Sequence, residues 1–434
     1  MIQGVGCDSA PALLQKPGDA RLRAVPIPFT APEVARRLER LGGLVWLDSA
    51  VGGSRGSGHS ILTANPVEIL RGSIHEEADW EKVTCRLAAY CESQSDPEGL
   101  PAGGLFGWVG YEGDFVLGVY PQVLILDHAS GHWLERGQLS SALDETPFVS
   151  TADVPTLDFR ASVERESFLT GIRRAQEYIA AGDIYQVNLA YPWEAVWPKS
   201  AAPLALYDRL RSVSPAPHAA YLDLEGTRVL SASPETYLRM SGRHIATRPI
   251  KGTRPRFPQD PARDRTSRDE LLASDKERAE LLMITDLERN DLGRVCEFGS
   301  VHVPELWEVE SFAQVYHLVS TVEGRLREDV DHASAFRACF PGGSITGAPK
   351  KRAMEIIAEL ESHPRGIYTG AVGYFGFNGE SQWNIAIRTA VQQGDRIRFH
   401  VGSGIVADSV PAHEHEETLH KAAGILSAAR QGFE

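Results

Sequence analysis

Ala371-Val372-Gly373-Tyr374-Phe375-Gly376-Phe377, Gln382-Trp383-Asn384-Ile385-Ala386-Ile387-Arg388-Thr389-Ala390-Val391 and Arg396-Ile397-Arg398-Phe399-His400-Val401-Gly402-Ser403-Gly404-Ile405-Val406 follow one another with only short polar breaks. Rich in aromatic and β-branched residues, they read as three strands in succession, some joined as hairpins. No helical segment separates them, so the strict alternation that builds a parallel sheet is absent. Working outward, Phe168, Ile172, Ala175 and Ile179 recur at helical spacing before a stop at Gly182. A strand is predicted over 184–191, and helices over 275–289, 349–361 and 411–430. Near the N-terminus, Gly43-Leu44-Val45-Trp46-Leu47-Asp48-Ser49-Ala50 and Gly103-Gly104-Leu105-Phe106-Gly107-Trp108-Val109-Gly110-Tyr111-Glu112 read as strands with tight turns. The pattern defines an α+β protein with large, mainly antiparallel sheets.

The chain has 434 residues, room for two ordinary domains or one large one. We expect a flexible leader over 1–20, an N-terminal region over 21–150, a connector near 144–158 and a second region over 160–431. A net charge of −14 excludes a nucleic-acid backbone as the main partner while allowing a local basic pocket for an anionic metabolite. No apolar run reaches membrane-span length and no signal-peptide core is present, so we expect a cytoplasmic protein without a membrane partner. The five cysteines, Cys7, Cys85, Cys91, Cys296 and Cys339, are scattered and never form CxxC, which fits reduced thiols.

Several segments carry chemistry. In Thr247-Arg248-Pro249-Ile250-Lys251-Gly252-Thr253-Arg254, a lysine stands between a proline-stiffened backbone and a glycine turn. Held this way, Lys251 can act as a nucleophile, with Arg248 or Arg254 nearby to lower its pKa; alone, the octet also reads as a solvated loop. Glu277 and Glu280, and again Glu414 and Glu417, are three residues apart on predicted helices and share a face, with Lys421 one turn beyond. Singly, each pair reads as a solvated helix face. Face to face, four carboxylates require a cation, and hard oxygen donors suit Mg²⁺. His413 and His415 flank Glu414 without the HExxH pattern, which disfavours zinc. Gly342-Gly343-Ser344-Ile345-Thr346-Gly347-Ala348-Pro349-Lys350 has P-loop glycine spacing, but Ala348-Pro349 replaces Lys-Ser/Thr, so nucleotide binding is rejected. Such a loop can still expose N–H groups to a carboxylate, with Pro349 in the first helical turn. Gly402 and Gly404 allow close backbone approach. Arg388, within an apolar strand, needs an anionic partner, either a ligand carboxylate or an internal salt bridge.

Together, Ala181-Gly182-Asp183-Ile184-Tyr185-Gln186-Val187-Asn188, Asp286-Leu287-Glu288-Arg289-Asn290-Asp291-Leu292, the 342–350 loop, 368–374 and 402–421 resemble the chorismate-utilising enzymes. These comprise anthranilate synthase component I, aminodeoxychorismate synthase component I, and the isochorismate and salicylate synthases. The resemblance runs from about Arg23 to Arg430. It implies two large antiparallel β-sheets packed together and flanked by helices. It implies Mg²⁺ at Glu280 and Glu417, with Glu277 and Glu414 beside them. It implies chorismate contacts at Thr346, Tyr368, Arg388, Gly402, Gly404 and Lys421, a general acid at Glu235 and a histidine, His317, near the reacting edge. Isochorismate-type enzymes carry a lysine where this chain has Gln186. Anthranilate synthases usually read Pro-Ile-Ala-Gly-Thr, so Pro249-Ile250-Lys251-Gly252-Thr253 looks like the aminodeoxychorismate synthase signature. The implied activity is amination of chorismate to 4-amino-4-deoxychorismate, the p-aminobenzoate and folate precursor, through a Lys251 adduct. Ammonia would come from a separate glutamine amidotransferase subunit. The alternatives are anthranilate synthase component I and a non-catalytic chorismate- or tryptophan-binding subunit. In this family the N-terminal region can bind tryptophan, which places Ser49 at a key position, although Trp46 and Asp48 depart from the commonest pattern.

Overall fold

The computed structural model describes residues 22–49, 58–91, 99–143, 156–312 and 314–430. The expected leader, Ala50 and most of the expected connector lie outside them. Among the described residues the fold is two large sheets, of twelve and ten strands, and every strand pairing is antiparallel. Both sheets draw strands from both halves of the chain. The twelve-stranded sheet joins Val45–Asp48 to His218–Leu224, and the ten-stranded sheet joins Gly104–Val109 to Ala371–Gly376.

One apolar core cluster contains residues from both sheets, from Trp46 and Leu62 to Trp383 and Phe399. Within it Trp80, Phe336, Phe375 and Trp383 mesh with ring centroids 4.8–6.2 Å apart, seating helices Glu77–Tyr90 and His332–Cys339 on the ten-stranded sheet. Helix Arg165–Ala180 buries Phe168, Leu169, Ile172 and Ala175, the face its spacing predicts, and Gly182 follows at φ +81°. Among the described residues, no helix is long and apolar enough to cross a membrane.

Three local expectations change. The strand expected over 382–391 is two strands: Glu380–Ile385 lies in the ten-stranded sheet and Thr389–Gln393 in the twelve-stranded one. The chain passes between layers at residues 386–388, with Arg388 in the left-handed region at φ +51°. Periodicity missed the break because both pieces are apolar and β-rich. The glycine turn after Lys251 is instead a bulge. Strand Ile250–Pro255 pairs with Val315–Arg325, its register shifting between Lys251 and Thr253, and Gly252 supplies φ +70°. Pro349 caps helix Lys350–Leu360 rather than opening its first turn.

Candidate active site

Strand Gln186–Val196 pairs along its length with Arg396–Ile405, setting Asn188 opposite Gly404 and Ala190 opposite Gly402. The missing side chains matter. A Cβ on Gly404 would stand 2.9 Å from Gln186 Nε2 and 3.4 Å from Lys251 Nζ, and one on Gly402 would stand 2.9 Å from Asn188 Oδ1. The glycines thus leave a space bordered by Lys251, Gln186 and Asn188. Gln186 is fully buried, yet neither its amide nitrogen nor its oxygen has a hydrogen-bond partner, and Asn188 Oδ1 is likewise unsatisfied. Unmet buried amides cost free energy, so polar groups facing such a space mark where a ligand belongs.

Lys251 faces three carboxylates: Glu235, Glu280 and Glu417. Arg248 and Arg254, the cations expected beside it, are themselves paired with acids. Arg248 binds Glu310 at 2.7 Å and Thr321 at 3.1 Å, and Arg254 reaches Glu277 at 3.4 Å, so both guanidinium charges are taken up. Glu235 is 5% exposed and burial raises its pKa, against opposing pulls from Ser344, Lys251, the Ile250 amide and Lys421. A carboxyl with a raised pKa suits a general acid. His317 is buried, its Nδ1 3.0 Å from Thr253 Oγ1, and burial followed by Arg388 lowers its pKa to about 3. The ring is therefore neutral at physiological pH and serves as a hydrogen-bonding group rather than a cationic acid. Arg388 has no ion pair among the described residues. Burial lowers its pKa and Glu235 opposes that shift. The internal salt bridge that would have explained it is absent there. Lys421 Nζ bonds the Gly402 carbonyl at 2.9 Å and Glu417 at 2.7 Å.

Helices Asp275–Gly293 and Pro411–Ala429 do face each other. Lys276 lies 3.9 Å from both Glu280 and Glu414, and burial raises the Glu280 pKa, with Glu277 and Glu414 adding to the rise. A cation between the helices would relieve that repulsion, and an all-carboxylate donor set fits Mg²⁺. The four glutamates are not all free for it. Glu414 is bonded to Ser403 and, at 2.8 Å, to Ser409, and Glu277 accepts from Arg254. Among the described residues, no three acidic, histidine or cysteine groups already stand in a metal-binding arrangement.

Thr346 turns its hydroxyl into its own loop, donating to Gly342 O at 3.0 Å, while its carbonyl accepts from the Asn188 amide at 2.8 Å. Tyr368 stacks on His400 with centroids 5.1 Å apart. Ser49 is buried, and its amide donates to Ser60 Oγ at 3.3 Å. Beside it, Asp48 accepts from Ser60, Tyr207 and Arg211.

The spacing did not expose two groups. Arg365, just before Tyr368, is a buried hub. Glu288 is buried behind the glycine loop and accepts from the Gly343 amide at 3.0 Å. Burial, then Asp291, pushes the Glu288 pKa up to about 7. Between about pH 4.5 and 7 the folded state therefore keeps a proton that the unfolded chain has lost. Its contribution to stability is full below that window and declines through it. Melting temperature should fall from pH 5 to pH 8. Glu288→Gln, which keeps an acceptor for Gly343, should flatten the fall, whereas parallel profiles for both proteins would contradict the assignment.

The chain belongs to the family of chorismate binding enzymes, whose model matches residues 46–427. Its relatives carry two names. It is 46% identical over 301 residues to anthranilate synthase component 1 of Streptomyces coelicolor, covering 69% of this chain and 58% of that protein. It is 43% identical over 327 residues to aminodeoxychorismate synthase component 1 of Escherichia coli, covering 72% and 70%. The chain spans about three-fifths of the length of the anthranilate synthase components it matches. Among solved structures, anthranilate synthase component I from Streptococcus pneumoniae superposes with TM-score 0.76 at 29% identity, covering 86% of this chain and 93% of that one. An isochorismate synthase from Escherichia coli shares the fold, with TM-score 0.75 at 18% identity over 95% and 94% of the chains.

Proposed function

We propose that this chain is the chorismate-aminating component of an aminodeoxychorismate synthase. The observation that carries the reading is Lys251 itself, its Nζ beside the unsatisfied Gln186 amide and in electrostatic reach of the buried acid Glu235. Arg388, with Lys421 nearby, takes the carboxylates of chorismate. Glu235 protonates the departing C4 hydroxyl, which leaves as water, while the Lys251 amine bonds to C2. Ammonia then bonds to C4 and the C2–lysine bond breaks, so the amine is recovered and 4-amino-4-deoxychorismate is released. His317 stays neutral beside this edge. Glu280 and Glu417, with Glu277 and Glu414 beside them, would hold Mg²⁺, which when bound supplies charge neutralisation for a substrate carboxylate. A separate glutamine amidotransferase subunit would supply ammonia.

The test incubates the protein with chorismate, Mg²⁺ and high ammonium, with a lyase added to half the sample, and identifies products by mass. Aminodeoxychorismate that becomes p-aminobenzoate only with the lyase is the expected result. Anthranilate is the second reading, supported by 46–48% identity to proteins of that name, level with the 46–48% to aminodeoxychorismate synthases of two Streptomyces species; its formation would overturn the first. Glu280→Gln should raise the Mg²⁺ concentration for half-maximal turnover by roughly 100-fold or more, since losing an outer-shell partner alone costs about 10- to 100-fold. An unchanged Mg²⁺ titration would remove Glu280 from the metal set.

A further inference from the structure

Arg365 is 2% exposed, and all five of its guanidinium N–H donors have acceptors at hand. Nε donates to Glu361 Oε2 at 2.9 Å and Nη2 to Glu361 Oε1 at 2.7 Å. Nη2 also donates to the Asn188 carbonyl at 2.7 Å. Nη1 donates to the Ile345 carbonyl at 3.0 Å and to Thr369 Oγ1 at 3.3 Å. Glu361 Oε1 accepts in turn from the Ala190 amide at 2.8 Å. The guanidinium lies over the Tyr111 ring, 4.6 Å from its centroid, and Glu112 takes the backbone amides of Arg365 and Gly366 at 2.8 and 2.9 Å.

The acceptors belong to three separate segments, and each borders the candidate site. Asn188 and Ala190 belong to the strand that carries Gln186. Ile345 lies between Ser344, which reaches Glu235, and Thr346. Thr369 follows Tyr368 and holds φ +59°, a strained conformation for a β-branched residue. Its hydroxyl accepts from Arg365 and donates to the Tyr368 carbonyl at 2.6 Å. A buried ion pair is weak as a source of stability, because desolvation offsets its attraction. What a planar five-donor fork provides is a fixed angle between its acceptors.

We infer that Arg365, clamped by Glu361, is a positioning residue that holds the strand at Gln186–Asn188, the glycine loop and the Tyr368 turn in one register around chorismate. The inference rests on the chorismate-binding reading of the site, though not on which product forms. A lysine at 365 keeps the charge but cannot span the three segments. A glutamine at 361 keeps an acceptor for Ala190 while removing the charge that orients the fork.

The experiment compares the full-length protein with Glu361→Gln and Arg365→Lys. It measures melting temperature, chorismate affinity by calorimetry with Mg²⁺ present, and steady-state KM and kcat with ammonium. We expect chorismate Kd and KM to rise by about 10- to 100-fold, the scale of loss for misplaced substrate contacts, with kcat falling less. Activity lost only in proportion to unfolded protein, with Kd and KM unchanged in the folded fraction, would overturn the inference. Glu361→Gln is the gentler change and keeps the test open if Arg365→Lys fails to fold. Anthranilate as product with the same rise in Kd would overturn the aminodeoxychorismate reading and leave the positioning role standing. Wild-type protein that binds no chorismate would overturn both.

Discussion

Lys251→Ala should abolish amination of chorismate, with kcat falling roughly 10⁴-fold or more, the scale seen when a covalent nucleophile is removed. The wild-type protein, held with chorismate and Mg²⁺ but no ammonia, should gain a chorismate-derived mass on Lys251, and the variant should gain none. The structure gives this prediction its edge. Lys251 sits on a bulge next to Gly252, where a Cβ would be 2.8 Å from Leu271 and 3.1 Å from Glu277 Oε2, so the backbone beside the amine is closely packed. Among nearby amines, Lys421 is bonded to the Gly402 carbonyl and Glu417, and Lys276 sits between Glu280 and Glu414. An alanine variant that still aminates chorismate, with no adduct on the wild type, would mean that ammonia attacks directly.

Arg388→Leu should separate function from stability. Removing the charged partner of a bound carboxylate costs about 2–5 kcal/mol, so kcat/KM should fall by roughly 30- to 4,000-fold. Without ligand, Arg388 is a desolvated cation with no ion pair among the described residues, so the ligand-free variant should melt at a higher temperature than wild type. Chorismate should raise the melting temperature of the wild type and leave that of the variant unchanged. Arg388→Lys should not restore affinity, because one ammonium cannot reproduce a bidentate grip. A variant that melts lower and binds chorismate normally would reduce Arg388 to a structural residue.

Most of the regular structure was legible in the sequence because periodicity reports burial. The helical spacing from Phe168 to Ile179 and the β-rich runs after Ala371 lie where their patterns place them. The break at 386–388 was not legible, because alternation says which face is buried but not which sheet a strand joins. In the site, the paired glutamates were visible as helix faces, and the two helices do meet. The preferences of the individual carboxylates were not visible, since Ser403, Ser409 and Arg254 reach them from other elements. Glu235 and His317 carry no local spacing signal and entered only through the family resemblance. Arg365 and Glu361 are four residues apart and look like an ordinary helix-end ion pair. Their acceptors at Asn188, Ile345 and Thr369 are set by tertiary packing alone.

The passage of the chain between layers at residues 386–388 has a mechanical consequence. One covalent strand leads from the ten-stranded sheet into the twelve-stranded sheet, and the residue at the crossing, Arg388, has no ion pair among the described residues. On the proposed reading, a substrate carboxylate held there would be gripped at the seam and would act as a bolt through both layers. Saturating chorismate should therefore slow amide hydrogen exchange on both sides of the seam together, in Trp383–Ile385 and in Ala390–Gln392 alike, so that filling the site would stiffen both sheets at once.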